Sequence, residues 1–139
     1  MKVLVHNLSL LPAAARKPKL IEKICLKAIG KKGRGELNVV FLDRRRMFAM
    51  NRRFLDHGHD TDVIAFRYPD EDGSDAFGDV YISAYKARLQ ADEMGHPVLT
   101  EVLTLAAHGS LHLLGYDDAT AKQKAAMFRL QDRLLAQVL

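Results

Sequence analysis

The stretch HGSLHLLGYDD, residues 108–118, carries two imidazoles four positions apart, then a glycine, then two carboxylates. Positions i and i+4 share one face of a helix, so His108 and His112 can converge on a single cation. A catalytic zinc site takes three protein ligands and leaves a fourth position for water. Gly115 suits the residue just past a helix end, where a left-handed conformation turns the chain back. Asp117 and Asp118 then follow within reach of the space the histidines face, so a third ligand is expected from the returning chain. Asp117 is also a candidate for orienting a histidine, and equally a turn residue that caps backbone. Taken singly, either histidine reads as a core imidazole satisfied by a carbonyl. The pair, the turn and the carboxylates together point to a metal, with zinc the expected ion.

The residue after the first histidine narrows the chemistry. Metalloproteases with H-E-x-x-H use that glutamate as general base on the zinc-bound water, and here the position is Gly109. A peptidase would lack its base. Glycine inside a helix also costs about 1 kcal/mol relative to alanine, which implies that substrate or another segment approaches the backbone there.

Hydrophobic periodicity supplies the elements that must hold this site. Lys2 to His6 reads as a strand, and Pro18 opens a helix with Leu20, Ile21, Ile24, Cys25, Ala28 and Ile29 on one face. ELNVVFL (36–42) reads as a strand buried on both faces. Asp43 can cap a helix running to about Leu55. On that helix Arg45, Arg46, Arg52 and Arg53 fall within an arc of about 120°, opposite Met47, Phe48, Met50, Phe54 and Leu55. These arginines form either a solvated face or a track for a polyanion. DHGHDT (56–61) reads as a loop, DVIAFRY (62–68) as a strand, PDEDGSDAFG (69–78) as a turn or mobile connection, and DVYIS (79–83) as a short strand. Ser83 can cap a helix over Ala84 to Met94. The helix from about Val98 to Leu114 is apolar almost all round and is expected to be central and buried. Thr120 starts the last helix, with Ala121, Ala125, Phe128 and Leu135 expected toward the core. Strands alternating with helices predict an α/β or α+β layer of sheet against helices.

Composition sets the remaining bounds. The chain has 139 residues, 48% hydrophobic and 27% charged, enough for one domain, 1–139, with a core of its own. It has no apolar run of about 18 residues, so no membrane partner is expected. His6 and Asn7 interrupt the apolar N-terminus, which argues against a signal peptide. The single cysteine, Cys25, reads as a buried helix residue, and the cytoplasm is the expected location. Residues 1–53 hold 14 Lys/Arg against 3 Asp/Glu, and residues 54–139 hold 7 against 14. That split suggests a basic surface for a polyanion and an acidic region elsewhere.

HGSLHLLGYD resembles the signature of the YbeY family of bacterial endoribonucleases, H-G-x-L-H-L-x-G-Y-D-H. MNRRF…DTDVIAF (50–66) is similar to that family's asparagine-containing helix and T-D-V-L-S-F strand, and FGDVYIS (77–83) to its G-D-I-x-I-S strand. The resemblance covers most of the chain. It implies an α+β domain with a metal held by three histidines in a cleft, and single-strand-specific cleavage of RNA. It further implies a role in maturing the 3′ end of small-subunit ribosomal RNA, ribosome quality control, and the small ribosomal subunit as partner; DNA is not expected. Two positions depart from the pattern. Asp118 stands where the family has its third histidine, and Leu55 where it has a cleft arginine, for which Arg52, Arg53 or His57 can substitute. A carboxylate is an acceptable zinc ligand, although it acidifies the bound water less than a neutral imidazole would. The expectation is a zinc-dependent hydrolase cutting RNA, with His108, His112 and Asp118 on the metal and the four arginines on the RNA backbone. The alternatives are a weakened or inactive ribosome-associated RNA-binding factor, and a metal-dependent hydrolase of a small substrate.

Overall fold

The computed structural model describes residues 1–55, 58–70 and 75–139. In chain order the elements are β1 (Lys2–His6), α1 (Pro18–Ile29), β2 (Glu36–Leu42), α2 (Arg44–Leu55), β3 (Val63–Arg67), β4 (Ala76–Ser83), α3 (Ala84–Met94), α4 (Val98–Leu113) and α5 (Ala121–Val138). The strands lie in the order β1-β2-β4-β3. The first three are parallel, and β3 runs antiparallel to β4 at the edge. This is an α+β fold with a mixed sheet.

Alternation along the strands divides the helices between two faces. Val39, Phe41, Val80 and Ile82 point to one side and join the main core with residues of α1, α4 and α5. Their neighbours Val40, Leu42 and Tyr81 point to the other and meet Met47 of α2 and Ile64 of β3 in a smaller cluster. The second face is only partly covered, so β2 is half-buried there rather than buried on both sides.

Helix α4 is the axis of the main core. Val102, Leu103, Ala106 and Ala107 are fully buried, while α1, α3, α5 and the strands β3 and β4 all pack on it. Gly109 explains how close the sheet comes. A Cβ there would lie 2.5 Å from Val80 Cγ1 and 3.1 Å from Val63 Cγ2. The expected close approach to the backbone is therefore made by β4 and β3. Cys25 on α1 is fully buried, and burial pushes its thiol up to about 12, so it stays protonated and acts as core.

Three helix starts are capped by the side chains anticipated for them. Asp43 Oδ1 accepts the Arg46 N–H at 2.8 Å, Ser83 Oγ accepts that of Lys86 at 3.0 Å, and Thr120 forms a reciprocal pair with Gln123. Each cap contributes about 1 kcal/mol.

Other expectations need correction. On α5, Ala121, Ala125 and Phe128 are exposed and Leu135 is only half-buried; the core face is Met127, Gln131, Leu134 and Val138. The true stripe contains a glutamine, so an apolar count shifts it by one position. On α2, Met47 and Asn51 are buried, whereas Phe54 and Leu55 are exposed. The helix outruns the small cluster it covers, and its last turn has little to pack against. Strand β4 begins at Ala76, three residues early, because it pairs with β2 on one side and β3 on the other, and this pairing satisfies backbone groups that composition alone assigns to a turn. Of the two expected connections, residues 56–57 (including His57) and 71–74 lie outside the described residues.

Candidate metal centre

The site is built by the way α4 ends. Gly115 takes a left-handed φ of +94°. Its N–H reaches the His112 carbonyl at 3.0 Å, and the Tyr116 N–H reaches that of Leu111 at 3.2 Å. This glycine-centred cap satisfies carbonyls left open at the helix end and reverses the chain. Two things follow. The Tyr116 carbonyl comes within 2.9 Å of His112 Nδ1, and Asp118 returns over the histidine rings.

The three side chains then form a tight triangle. His108 Nε2 and His112 Nε2 are 2.9 Å apart, and Asp118 Oδ2 lies 3.2 Å from the first and 3.7 Å from the second. A tetrahedral zinc ion with bonds of about 2.0–2.1 Å spaces its ligand atoms about 3.3 Å apart. The triangle brackets that spacing. All three groups are partly exposed, which leaves a side open for water or substrate. Among the described residues, this is the group of three whose donor atoms could hold a metal ion. Although aspartate is shorter than histidine, the turn brings its carboxylate within 3.2 Å of His108 Nε2.

The far sides of the imidazoles fix the protons. His112 Nδ1–H donates to the Tyr116 carbonyl, which frees its Nε2 lone pair. His108 Nδ1 lies 2.6 Å from Gln131 Nε2. The two ends of an amide are nearly equal in shape and are assigned from the network. With Nε2 turned to a cation, His108 carries its hydrogen on Nδ1, and Gln131 must offer it Oε1. Burial, and then the neighbouring His112, hold His108 below its ordinary value, although Asp118 and Asp62 pull the other way. A neutral imidazole is the form that binds metal.

Two partners of the site were missed by sequence reasoning: Gln131 and the Tyr116 carbonyl. Gln131 did leave a signal, as the one polar residue in the buried stripe of α5. Asp117 makes the backbone contact anticipated for a turn residue; its Oδ1 accepts the Asp118 N–H at 2.7 Å. The four arginines are not brought to the triangle. Arg45, Arg46, Arg52 and Arg53 are exposed on α2, which packs on the opposite face of the sheet from α4. Arg46 lies 3.9 Å from Asp43, and Arg53 lies over the Phe54 ring. Arg44, outside that set, pairs with Asp60 at 2.8 Å and covers Tyr85. Leu55 ends α2 and is exposed.

Comparison with known proteins gives one consistent result. The family model described as Endoribonuclease YbeY matches residues 12–139. A protein of that name from Elusimicrobium minutum is 38% identical over 132 residues, covering 91% of this chain and 92% of its own length. Another from Desulforamulus reducens is 34% identical over 146 residues, covering 97% and 95%. Among solved structures, the solution structure of a Thermotoga maritima protein superposes with a TM-score of 0.64 at 26% identity, covering 98% of this chain and 88% of that one.

Proposed function

The chain belongs to the endoribonuclease YbeY family, and from that premise we propose that it cuts single-stranded RNA with one zinc ion held by His108, His112 and Asp118. It is a metal-dependent endoribonuclease of ribosomal RNA maturation. The finer reading covers 16S 3′-end maturation and ribosome quality control on the small subunit in the cytoplasm, with residues 1–139 acting as one catalytic domain. Among the described residues no helix is long and apolar enough to cross a membrane. The observation that carries the reading is the triangle of donor atoms at the end of a buried helix.

The donor set suits a catalytic ion better than a structural one, with three protein ligands and one open side. Bound there, zinc supplies Lewis acidity, making a coordinated water a better nucleophile and drawing charge from a phosphoryl oxygen. The chain's own residues do the rest. His108 and His112 present neutral Nε2 atoms, held in that tautomer by Gln131 and the Tyr116 carbonyl. Asp118 adds one negative charge to the site, which tempers the acidity of the water. Arg45, Arg46, Arg52 and Arg53 hold the RNA backbone away from the reacting phosphate, giving salt-dependent binding with little sequence preference.

Metal content and cleavage of single-stranded RNA, measured together, test this. Wild type is expected to carry one zinc per chain and to cut. Asp118→Ala is expected to lose both the zinc and the cutting while keeping its fold. Zinc retained at full stoichiometry in Asp118→Ala would remove Asp118 from the ligand set. A 2′,3′-cyclic phosphate on the product would assign the attack to the ribose 2′-hydroxyl rather than to water.

A further inference from the structure

A cavity of about 740 Å³ between α3, α4 and α5 has no role in the chemistry above. His108 and Asp118 form part of its wall, so it opens onto the donor triangle. Its volume falls in the range of about 300–1,000 Å³ usual for small-molecule sites. Leu105 and Met127, both buried, line its depth. Met94 from the end of α3 and Phe128 from α5 line it as well. These are the two most exposed large apolar side chains among the described residues, at 72% and 62%. One exposed apolar side chain on a surface helix needs no explanation. Two on the walls of a single cavity beside a nuclease centre call for a ligand.

Charge decides which part of an RNA can enter. Away from the metal ligands, Asp62, Glu93 and Asp132 line the cavity against one lysine, Lys124. Glu101, also in its wall, is already held by Gln90 at 2.7 Å and His96 at 2.9 Å. Phosphates are repelled by such a lining. A nucleobase is neutral, flat and largely apolar on its faces, and its amino and imino edge offers hydrogen-bond donors to carboxylates. In single strands, bases turn out of the stack and lie on aromatic side chains.

We propose that this cavity receives the base of a nucleotide adjoining the cleaved phosphate, with Phe128 as its stacking surface and Met94 and Leu105 completing the apolar contact. The proposal rests on the endoribonuclease reading of the neighbouring triangle. It assigns the selection of a splayed, unpaired base to α3 and α5, which a paired strand cannot satisfy without breaking its pairs.

Two measurements on the zinc-loaded protein test it. The first is kcat/KM for RNA oligonucleotides carrying one abasic nucleotide at successive positions around the cut. The second is the fluorescence of 2-aminopurine scanned through the same positions, recorded on mixing before cleavage. We expect one position beside the cut at which loss of the base lowers kcat/KM by roughly 10- to 100-fold and at which 2-aminopurine is quenched. Phe128→Ala is expected to erase both effects, and Phe128→Trp to retain them; the exposure of this side chain leaves folding intact. Absence of any sensitive position, or the same sensitivity in Phe128→Ala, overturns the cavity assignment while RNA cleavage stands, and leaves the cavity to another occupant such as a protein side chain. If zinc-loaded protein cuts none of the RNAs, the endoribonuclease reading fails instead. The fluorescence then decides by itself, with quenching lost in Phe128→Ala supporting a base in the cavity and unchanged fluorescence overturning it.

Discussion

Gln131 of α5 stands 2.6 Å from Nδ1 of His108 on α4, so the last helix governs which nitrogen this imidazole presents to the donor triangle. Gln131→Leu preserves size and burial but removes the acceptor. Zinc affinity is expected to fall roughly 10- to 100-fold, read by competition with a chromophoric chelator, with the helical circular dichroism unchanged. Gln131→Glu keeps an acceptor and is expected to hold affinity near wild type. Equal affinities in all three proteins would show that His108 needs no such partner.

Asp118→His exchanges an anionic ligand for a neutral one at the same position. The bound water becomes more acidic, so the acid limb of the pH–rate profile is expected to move down by about one unit, with zinc content retained. A limb that stays in place would separate the ligand at 118 from the ionisation that limits the rate.

Gly109→Ala gains helix propensity of about 1 kcal/mol and drives a methyl to within 2.5 Å of Val80 Cγ1. Overpacking of that kind costs about 1–3 kcal/mol, and Val80 is fixed in the central pairing of the sheet. The net is expected to be a loss on the order of 1 kcal/mol in urea unfolding, and weaker zinc binding as α4 shifts from β3 and β4. A stabilised variant would mean the valines yield easily.

The depressed His108 value ties stability to acidity in the metal-free protein. The unfolded chain takes up the proton near its ordinary 6.5, before the folded chain does. The stabilising contribution is therefore complete above that value and is lost as the pH falls through the lower, folded one. Urea midpoints are expected to drop between about pH 7.5 and pH 5.5, and less so in His108→Leu. An identical drop in the variant would place the effect on other groups.

The arginine face of α2 is tested by salt. Each phosphate contact on a single strand contributes about 0.7 to the slope of log affinity against log salt. Arg45→Ala with Arg52→Ala is expected to weaken RNA binding and to flatten the slope by roughly 1.4. An unchanged slope would return this face to solvent.

What the sequence disclosed follows how local each feature is. The bounds of β1 and β2, the caps Asp43, Ser83 and Thr120, and the turn at Gly115 are dictated by residues a few positions apart. The three donor atoms belong to this class, since a helix period and one turn bring them together. Gln131 lies 23 positions from His108, and nothing near it in the chain states that α5 will dock there. A stripe counted only by apolar residues excludes it, which is also why the buried face of α5 was misplaced. The early start of β4 depends on partners from two distant strands, and the cavity exists only once α3 and α5 have both packed on α4.

All three donor atoms come from eleven consecutive residues, 108–118. No distant segments have to meet before an ion can bind, so almost no loop-closure entropy is charged to the site. All three side chains are partly exposed beside a separate apolar core, and chelation should strip the ion while leaving the chain folded, unlike a small zinc finger that unfolds without its metal. Metal supply can therefore act as a reversible on-off control over a standing scaffold, with recovery set by the speed of rebinding rather than of refolding.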